Sequence, residues 1–340
     1  MPKKKTVSTA FFKPLEEYKR VYESIPSGSL GLDIVSGNGG WIQHTINRIG
    51  GPEGVGKSGL LYKTAANALR MGMKVWWVDT EYSFDLSKMM VELDGFDSTD
   101  KMFVNTFDPN AEEPLTIEVI SQQASNFFEY NKDKGGSLLV IDSMDNLVTN
   151  ARLEGDVYDA LMGIVPRVLN RWLPMLVSEL VECNATAIFV SQARADLKSQ
   201  YNEYTYNGGY GLRHNAQFFY EVKSRGQLKV GEDIVGRIIS GKISKNKAGN
   251  NWKTVEYGLR YDIGIDTPGE VIDWLIESGL GRKSGAWIYV DDLKFNGREE
   301  MRNWLLDNKD KMREFENRIR AFYNNKPVKQ EVLTNSGEQE

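Results

Sequence analysis

The sequence predicts an α/β fold with a mostly parallel central sheet. A glycine-rich loop at residues 51–58 stands between a short predicted strand at 45–49 and a run with helical spacing. Further apolar runs of strand length, at residues 74–78, 137–142 and 186–190, alternate with segments of helical periodicity. Strands that alternate with helices are typical of βαβ units, whose strands lie parallel in one sheet.

Composition limits the classes of protein to which this chain can belong. The 340 residues include 41% hydrophobic and 26% charged side chains, as is ordinary for a folded globular chain. A single cysteine excludes an internal disulfide and suits a reducing cytosol, and no apolar run is long enough to span a bilayer. There are two histidines, and the formal charge is −5. We therefore expect a cytoplasmic protein without a zinc site. A global basic field for nucleic acid is absent, and any such binding would have to use local basic loops.

The glycine-rich loop fits the pattern G-x-x-x-x-G-K-[ST], which binds nucleotide phosphates. Glycines allow a tight turn in which successive N–H groups converge on one anion, and the following helix adds the positive end of its dipole. Lys57 is expected to reach the β- and γ-phosphates, and Ser58 to place its hydroxyl on Mg²⁺. The alternative, a glycine-rich turn with a solvated lysine, is disfavoured by the flanking strand and helix. The predicted nucleotide-binding residues of this loop are Gly51, Pro52, Glu53, Gly54, Val55, Gly56, Lys57, Ser58 and Gly59.

Carboxylates follow two of the apolar runs. Because ligands of parallel α/β sheets lie beyond the carboxyl ends of the strands, these acids are candidates for the same site. Glu81, after the run at 74–78, is the candidate base for a water that attacks the γ-phosphate, whereas Asp79 and Asp85 fit a turn or a helix N-cap better. Asp142 ends the run at 137–142 and is expected to hold Mg²⁺ through its water shell.

A second informative stretch follows the run at 186–190. Gln192 stands at the end of that run and could sense a γ-phosphate through its amide, although a capping role is the alternative. The loop at 196–210 then sets tyrosines among small polar residues, an arrangement that suits stacking on the bases of single-stranded nucleic acid. A protein-binding loop is the alternative. The tyrosines are Tyr201, Tyr204, Tyr206 and Tyr210, with Lys198 and Arg213 nearby.

The remaining segments are assigned by periodicity and turn residues. Phe11 and Phe12 lie on a polar N-terminal arm and either dock into another molecule or fold back onto this chain. We expect a turn-rich stretch at 25–41 and a polar, turn-like stretch at 150–163, and Pro174 should kink the helix that follows. Helices are predicted at 14–24, 85–93, 115–130 and 269–278. A long helix follows the stretch at 150–163 and ends at about 181, and the final helices extend to 323. Strands are predicted at 102–105, 217–223, 237–243 and 253–260, with a hairpin near 286–290.

Taken together, these motifs resemble those of the RecA-type recombinases, the bacterial and phage strand-exchange ATPases. Residues 25–40 resemble the family's "ISTGSLSLDIALGAGG", and residues 51–58 resemble "GPESSGKT". Residues 79–81 resemble "DAE", 141–143 resemble "VDS", and 245–247 match "KNK". The short arm before the core looks more like that of phage members.

The resemblance implies a RecA-like P-loop NTPase core, with ATP and Mg²⁺ as ligands. It implies an arm and helix at 1–24 that contact a neighbouring protomer, the core with DNA-binding loops at 25–262, a small α+β C-terminal domain at 263–325, and a disordered tail at 326–340. It also implies a helical filament that binds single-stranded DNA and pairs it with a homologous duplex.

Residue roles follow from the same resemblance. Glu81 would be the general base and Gln192 the γ-phosphate sensor, while Lys245 and Lys247 would reach into the neighbour's ATP site. Asp85 and Tyr261 fall at nucleotide-contacting positions. The DNA loops would span about 154–163 and 194–209. The expected DNA-binding residues are Met162, Gly163, Arg167, Arg194, Lys198, Tyr201, Tyr204, Tyr206, Gly208, Gly209 and Arg213.

Three positions depart from the family pattern. Lys88 stands where the family often stacks an aromatic on adenine, Pro174 replaces a basic residue, and His214 replaces an aromatic that passes the ATP signal between protomers. Two other functions compete with a recombinase. A ring helicase is built on the same core, and a non-catalytic mediator would bind ATP to regulate a recombinase. The Lys-Asn-Lys segment disfavours the helicase, and the complete set of Lys57, Ser58, Glu81 and Asp142 disfavours the mediator.

Overall fold

A computed structural model describes residues 22–106, 108, 113–154, 163–195, 204–206 and 209–324. The predicted arm with Phe11 and Phe12 and the tail from residue 326 lie outside these ranges. Of the helix predicted at 14–24, only the last three residues are described, and Ser24 lies in a short strand. That helix therefore does not extend to its predicted end.

The described residues form helices on both sides of a large sheet and in a C-terminal unit. The helices are α1 Leu30–Ser36, α2 Lys57–Arg70, α3 Leu86–Leu93, α4 Ile117–Asn131, α5 Asn150–Glu154, α6 Ile164–Glu182, α7 Gly209–Asn215, α8 Thr267–Ser278, α9 Arg298–Asp307 and α10 Lys309–Asn324.

The strands fall into one large sheet and two small ones. They are β1 Ser24–Ile25, β2 Trp41–Ile42, β3 Ile46–Gly51, β4 Lys74–Asp79, β5 Met102–Thr106, β6 Ser137–Asp142, β7 Ala185–Ala195, β8 Tyr204–Tyr206, β9 Phe218–Val230, β10 Asp233–Asn246, β11 Thr254–Arg260, β12 Gly264–Ile265, β13 Gly281–Ser284, β14 Trp287–Val290 and β15 Leu293–Asn296.

Over the described residues, the large sheet has the strand order β12-β11-β10-β9-β3-β7-β6-β4-β5, and β8 pairs with the end of β7. The strands from β9 through β5 in this order are parallel, and β10, β11 and β12 continue the sheet in antiparallel pairs. The prediction of a mostly parallel α/β sheet is confirmed.

Both faces of the sheet are covered, which explains the near-continuous apolar strands. In β4, Val75 and Trp77 belong to the core that packs on α2 and α3. Trp76 and Val78, on the opposite face, belong to the core that packs on α4 and α6. The parallel strands β3, β7, β6 and β4 are consecutive neighbours, so their carboxyl ends meet at one edge of the sheet.

A small C-terminal unit packs beside the core. Helices α8, α9 and α10 cover the antiparallel sheet β13-β14-β15. The unit is joined to α1 by polar contacts: Glu270 of α8 accepts hydrogen bonds from the Ser29 hydroxyl (2.6 Å) and the Gly31 N–H (3.1 Å). Arg320 of α10 donates to Asp33 (2.8 Å). In the part of the chain that is described, no helix is both long and apolar enough to cross a membrane.

Several local predictions were wrong. The stretch at 25–41 contains α1, which begins at the Ser29 N-cap and ends at Gly37 in the left-handed region (φ 74°). Residues 150–154 are helical rather than turn-like. By contrast, the hairpin predicted near 286–290 is confirmed, because β14 pairs antiparallel with β13 and with β15. Lys245 and Asn246 end β10, and Lys247 lies in the turn between β10 and β11.

Candidate nucleotide and DNA site

The phosphate loop joins β3 to α2 at the carboxyl edge of the sheet. Gly54 and Gly56 have φ of 68° and 81°, in the left-handed region that only glycine adopts without strain. Gly51 is needed for space, because a methyl group there would lie 2.3 Å from the Val222 carbonyl oxygen. Gly56 is the N-cap of α2, and no side chain caps that helix, so its first N–H groups remain directed at the loop.

Lys57 is almost fully buried inside the loop. Its Nζ donates to the carbonyl oxygens of Gly51 (2.9 Å) and Pro52 (2.7 Å). Burial lowers its pKa, and the carboxylates of Asp142 and Glu81 oppose that shift. The ammonium is thus held over the loop by weak neutral acceptors, which a phosphate could replace.

Ser58 and Asp142 lie together beside Lys57. The Ser58 hydroxyl donates to Oδ2 of Asp142 at 2.8 Å. Burial raises the pKa of Asp142 to about 6, and the hydrogen bond from Ser58 opposes the shift. A bound divalent cation would relieve this buried carboxylate, and a hydroxyl with a carboxylate are hard oxygen ligands that suit Mg²⁺. Among the described residues no cluster of three or more metal-ligating side chains occurs, so the phosphates and water would have to complete its coordination.

The candidate base and the candidate sensor are in direct contact. Oε1 of Glu81 accepts a hydrogen bond from Nε2 of Gln192 at 2.7 Å, and the Ser143 hydroxyl donates to the same oxygen. Glu81 follows β4 and Gln192 lies in β7, and β6 with Asp142 lies between those strands. The fold therefore brings together Lys57, Ser58, Glu81, Asp142 and Gln192.

Two other acids hold the backbone of Glu81 and Gln192 in place. Asp79 accepts hydrogen bonds from the backbone N–H groups of Glu81 (3.1 Å), Ser83 (2.8 Å) and Phe84 (2.8 Å), so it shapes the turn that presents Glu81. Asp145 accepts from the Gln192 N–H at 2.7 Å. The sequence indicated the turn role of Asp79 but not the roles of Ser143 and Asp145, because these contacts depend on how β4, β6 and β7 pack.

The predicted nucleotide-contacting positions outside the loop differ in their surroundings. The Asp85 side chain accepts from the Lys88 N–H (3.1 Å) as the N-cap of α3, and Lys88 Nζ lies 3.2 Å from its carboxylate. Asp85 thus already has a structural role, which was the alternative for it. Tyr261 is exposed just beyond β11, where Leu259 contacts Gly56.

The two lysines assigned to the neighbour's site lie near the end of α7. Nζ of Lys245 donates to the carbonyl oxygens of Arg213 (2.8 Å) and His214 (3.1 Å) at the C-terminal end of that helix. Burial lowers the pKa of Lys245, and the nearby charges of Lys247 and Arg213 act in the same direction. Lys247 is exposed in the turn after β10.

The structure describes only part of the predicted DNA surface. Gly163 is the N-cap of α6, Arg167 is exposed in its first turns, and Arg194 is exposed near the end of β7. Gly209 begins α7, and Arg213 is exposed near its end. Met162, Lys198, Tyr201 and Gly208 lie outside the described residues, as does the side chain of Tyr210.

Two of the tyrosines have a different place from the one predicted. Tyr204 and Tyr206 lie in β8, which pairs antiparallel with the end of β7. Both rings are half-buried: Tyr206 packs edge-on against Phe219 (5.2 Å between centroids), with the Arg48 guanidinium over its ring. The expectation that Tyr206 offers a free face to a base is therefore wrong for this structure, because tertiary packing has covered it. Its partner Arg48 is the one charged residue of β3, and this charge in a strand before the phosphate loop is the sequence feature that could have indicated a buried partner.

Comparison with known proteins adds a family assignment to this geometry. Residues 4–266 match the family model of the RecA N-terminal domain, and residues 269–324 match that of the RecA C-terminal domain. The chain is 32% identical over 310 residues to Protein RecA of Syntrophus aciditrophicus (strain SB), covering 90% of this chain and 86% of that protein. It is 33% identical over 299 residues to Protein RecA of Geobacter sulfurreducens, covering 87% of this chain and 84% of that protein.

Proposed function

The chain belongs to the RecA family of ATP-dependent recombinases, and on that premise we propose that it hydrolyses ATP on single-stranded DNA and pairs that strand with a homologous duplex. One observation carries the proposal within this chain. The hydrogen bond between Glu81 and Gln192 joins the candidate base to the strand that leads into the tyrosine-rich loop. A nucleotide beside Gln192 and a ligand on the loop that follows Ala195 can therefore affect each other through the carboxyl end of β7.

Each side chain at the carboxyl edge of the sheet has its own role in the proposed hydrolysis of ATP. The N–H groups of the loop and of the start of α2 bind the phosphates, and Lys57 exchanges its carbonyl acceptors for phosphate oxygens. Ser58 and Asp142 would hold Mg²⁺, which neutralises charge on the phosphates when bound. Glu81 accepts a proton from the attacking water once Gln192 turns from it toward the γ-phosphate. In that way the amide would both sense the nucleotide and release the base.

DNA binding is assigned to the surface reached by the ends of β7 and α6. Arg167, Arg194 and Arg213 are exposed there and supply phosphate partners. Lys198, Tyr201, Gly208 and Met162 belong to the same proposal from the resemblance, and Tyr201 offers a face on which a base can stack. Backbone contacts and stacking do not read base edges, so binding should be insensitive to sequence and should weaken as salt rises.

Assembly into a filament would complete the catalytic site. We assign Lys245 and Lys247 to the ATP site of the neighbouring protomer, where cations stabilise the transferring phosphoryl group as an arginine finger does. In the single chain Lys245 instead binds the end of α7, so a neighbour's phosphate would have to displace that contact. The arm with Phe11 and Phe12 is proposed to dock on the next protomer.

The proposed domain organisation follows the same assignment. Residues 25–262 would act as the ATPase core and residues 263–325 as the small C-terminal domain, with residues 1–24 in protomer contacts. DNA and ATP as substrates, together with the single cysteine, support a cytoplasmic location.

Steady-state ATPase assays on the wild type and on Glu81→Gln test the proposal. The amide keeps the shape of Glu81 and its bond to Gln192 but cannot take a proton. We expect turnover that depends on single-stranded DNA in the wild type and about 10²–10⁴-fold less in the variant, because positioned bases contribute that much. Glu277→Gln, which changes an exposed carboxylate of α8 in the C-terminal unit, is the matched control. Variant turnover within about tenfold of the wild type would contradict the role of Glu81.

A further inference from the structure

The sheet beside the phosphate loop contains a notch that receives one aromatic ring. Gly50, immediately before the loop, is buried in β3. A methyl group at this position would lie 2.6 Å from Cε1 and 2.9 Å from Cδ1 of Tyr206. The φ of Gly50 is not in the left-handed region. Glycine is therefore needed here because a side chain would clash with the Tyr206 ring, and not because of the backbone conformation.

Charged and aromatic side chains form the walls of this notch. Arg48 is 3% exposed; its guanidinium lies 5.2 Å from the ring centroid of Tyr206 and 4.7 Å from that of Phe219. Its Nε donates to the Ser191 hydroxyl at 3.0 Å. The Tyr206 hydroxyl donates to the Glu221 carboxylate. A buried guanidinium over aromatic rings is among the stronger cation–π arrangements.

The register of the strands places these groups on one face of the sheet. Arg48 and Gly50 pair with Phe219 and Glu221 of β9, and Gly50 pairs with Ser191 of β7 on its other side. Side chains two residues apart along a strand point to the same face. The notch is therefore built from β3, β7 and β9, the strands that also carry the phosphate loop and Gln192.

The ring that fills the notch belongs to the strand that follows the proposed DNA loop. Tyr206 pairs with Ala193, the residue next to Gln192. Tyr204, two residues earlier on β8, lines a cavity of about 460 Å³ together with Pro52 and Glu53 of the phosphate loop. The described end of the tyrosine-rich loop thus lies beside the phosphate loop.

We propose that Tyr206 is a positioning residue whose docking in the notch formed by Gly50, Arg48, Phe219 and Glu221 couples nucleotide binding to DNA binding. This inference rests on the proposed function. A nucleotide that orders the end of β3 favours the docked ring, and the docked ring holds β8 and therefore the end of the DNA loop. By linkage, DNA on the loop then favours the nucleotide by the same factor.

Fluorescence anisotropy measures this coupling directly. The dissociation constant for a labelled single-stranded oligonucleotide is determined with and without a non-hydrolysable ATP analogue, and the ratio of the two constants is the coupling factor. Allosteric coupling is typically about 5- to 150-fold, and we expect the wild type to lie in this range. Tyr206→Ala and Gly50→Ala should each reduce the factor by about fivefold or more. Tyr206→Phe, which keeps the ring but loses the bond to Glu221, should give an intermediate factor.

Two comparisons make the assignment specific. Gly50→Ala combined with Tyr206→Ala should lose no more coupling than Tyr206→Ala alone. The closest contacts of the added methyl group, with the Tyr206 ring, are then gone, and Cε2 of Phe219 is left at 3.0 Å. Gly226→Ala is the matched control: Gly226 also lies in a strand, but nothing stands within 4 Å of a methyl group there, so its coupling should be that of the wild type.

Other outcomes would overturn the inference. Equal loss of DNA affinity with and without the analogue would make Tyr206 a direct DNA contact. A lower melting temperature with an unchanged coupling factor would make it a structural residue only. If Gly50→Ala does not fold, Tyr206→Ala and Tyr206→Phe still decide between these outcomes. A wild type whose DNA binding ignores the analogue would contradict the proposed function itself.

Discussion

Glu81 and Asp142 illustrate what can be predicted at the scale of single residues. Both were identified because a carboxylate follows an apolar run, and in a parallel sheet such residues share one edge. Ser143, which donates to Glu81, and Asp145, which accepts from the Gln192 N–H, could not be assigned in this way. Those side chains gain their contacts only when separate strands pack, and the sequence contains no spacing that encodes such packing.

We expect the buried carboxylate of Asp142 to lower the free energy of unfolding of the nucleotide-free protein, by an amount that depends on pH. Burial raises its pKa to about 6, whereas its ordinary value is 3.8. Between these values the folded state binds more protons than the unfolded state, so this group makes stability fall as pH rises through the window. Above about pH 6 Asp142 is ionised in both states, and the full loss of folding stability is present. We expect Asp142→Asn to raise the free energy of unfolding by on the order of 1–3 kcal/mol at pH 8, and by about half as much at pH 5, which still lies above the ordinary pKa of 3.8.

Thermal unfolding of the nucleotide-free protein at both pH values measures this difference. Glu53→Gln, which removes an exposed carboxylate from the neighbouring phosphate loop, serves as the control and should change the melting temperature at neither pH. An equal gain for Asp142→Asn at pH 5 and pH 8 would show that ionisation of Asp142 is not its cause.

At the scale of elements, the strands were easier to predict than the short segments between them. Apolar runs located β4, β6 and the start of β7, because strands covered on both faces must be apolar. Helix α1 was missed since it is only seven residues long and lies in a glycine-rich stretch. Strand β8 was missed because its three residues pair only with the extended end of β7, and a loop of tyrosines and polar residues does not predict that pairing.

Lys245 and Lys247, at and just after the end of β10, allow a test of whether neighbouring protomers share an ATP site. If Lys245 and Lys247 act on the neighbour's ATP, protomers lacking both lysines and protomers carrying Glu81→Gln should partly restore each other's activity when mixed. Each kind supplies the part that the other lacks. ATPase activity on single-stranded DNA is measured across a series of mixing ratios.

A lysine on the same strand provides the control for that mixing assay. Lys242 lies over the Trp252 ring at 4.9 Å and is exposed. Lys242→Ala should leave DNA-stimulated hydrolysis close to that of the wild type, whereas Lys245→Ala and Lys247→Ala should each lower it. No recovery at any mixing ratio would indicate that the two lysines act within their own chain.

At the scale of the whole molecule, the predicted α/β class and the C-terminal unit were correct, but the order of the strands was not predicted. Alternating strands and helices indicate parallel pairing, whereas the position of β3 between β7 and β9 depends on tertiary packing. The attachment of the C-terminal unit was not predicted either. It depends on buried polar contacts such as Glu270 with Ser29, between residues far apart in the sequence.

The central claim is that this molecule exchanges strands between homologous DNAs, and a strand-transfer assay tests it most directly. The protein is incubated with ATP, Mg²⁺, a single strand, and either a homologous duplex or a duplex of shuffled sequence, each labelled so that strand displacement changes fluorescence. We predict ATP-dependent displacement from the homologous duplex and none from the shuffled one. Displacement from both duplexes would instead indicate a helicase, and displacement from neither would indicate a non-catalytic partner; either result would contradict the account.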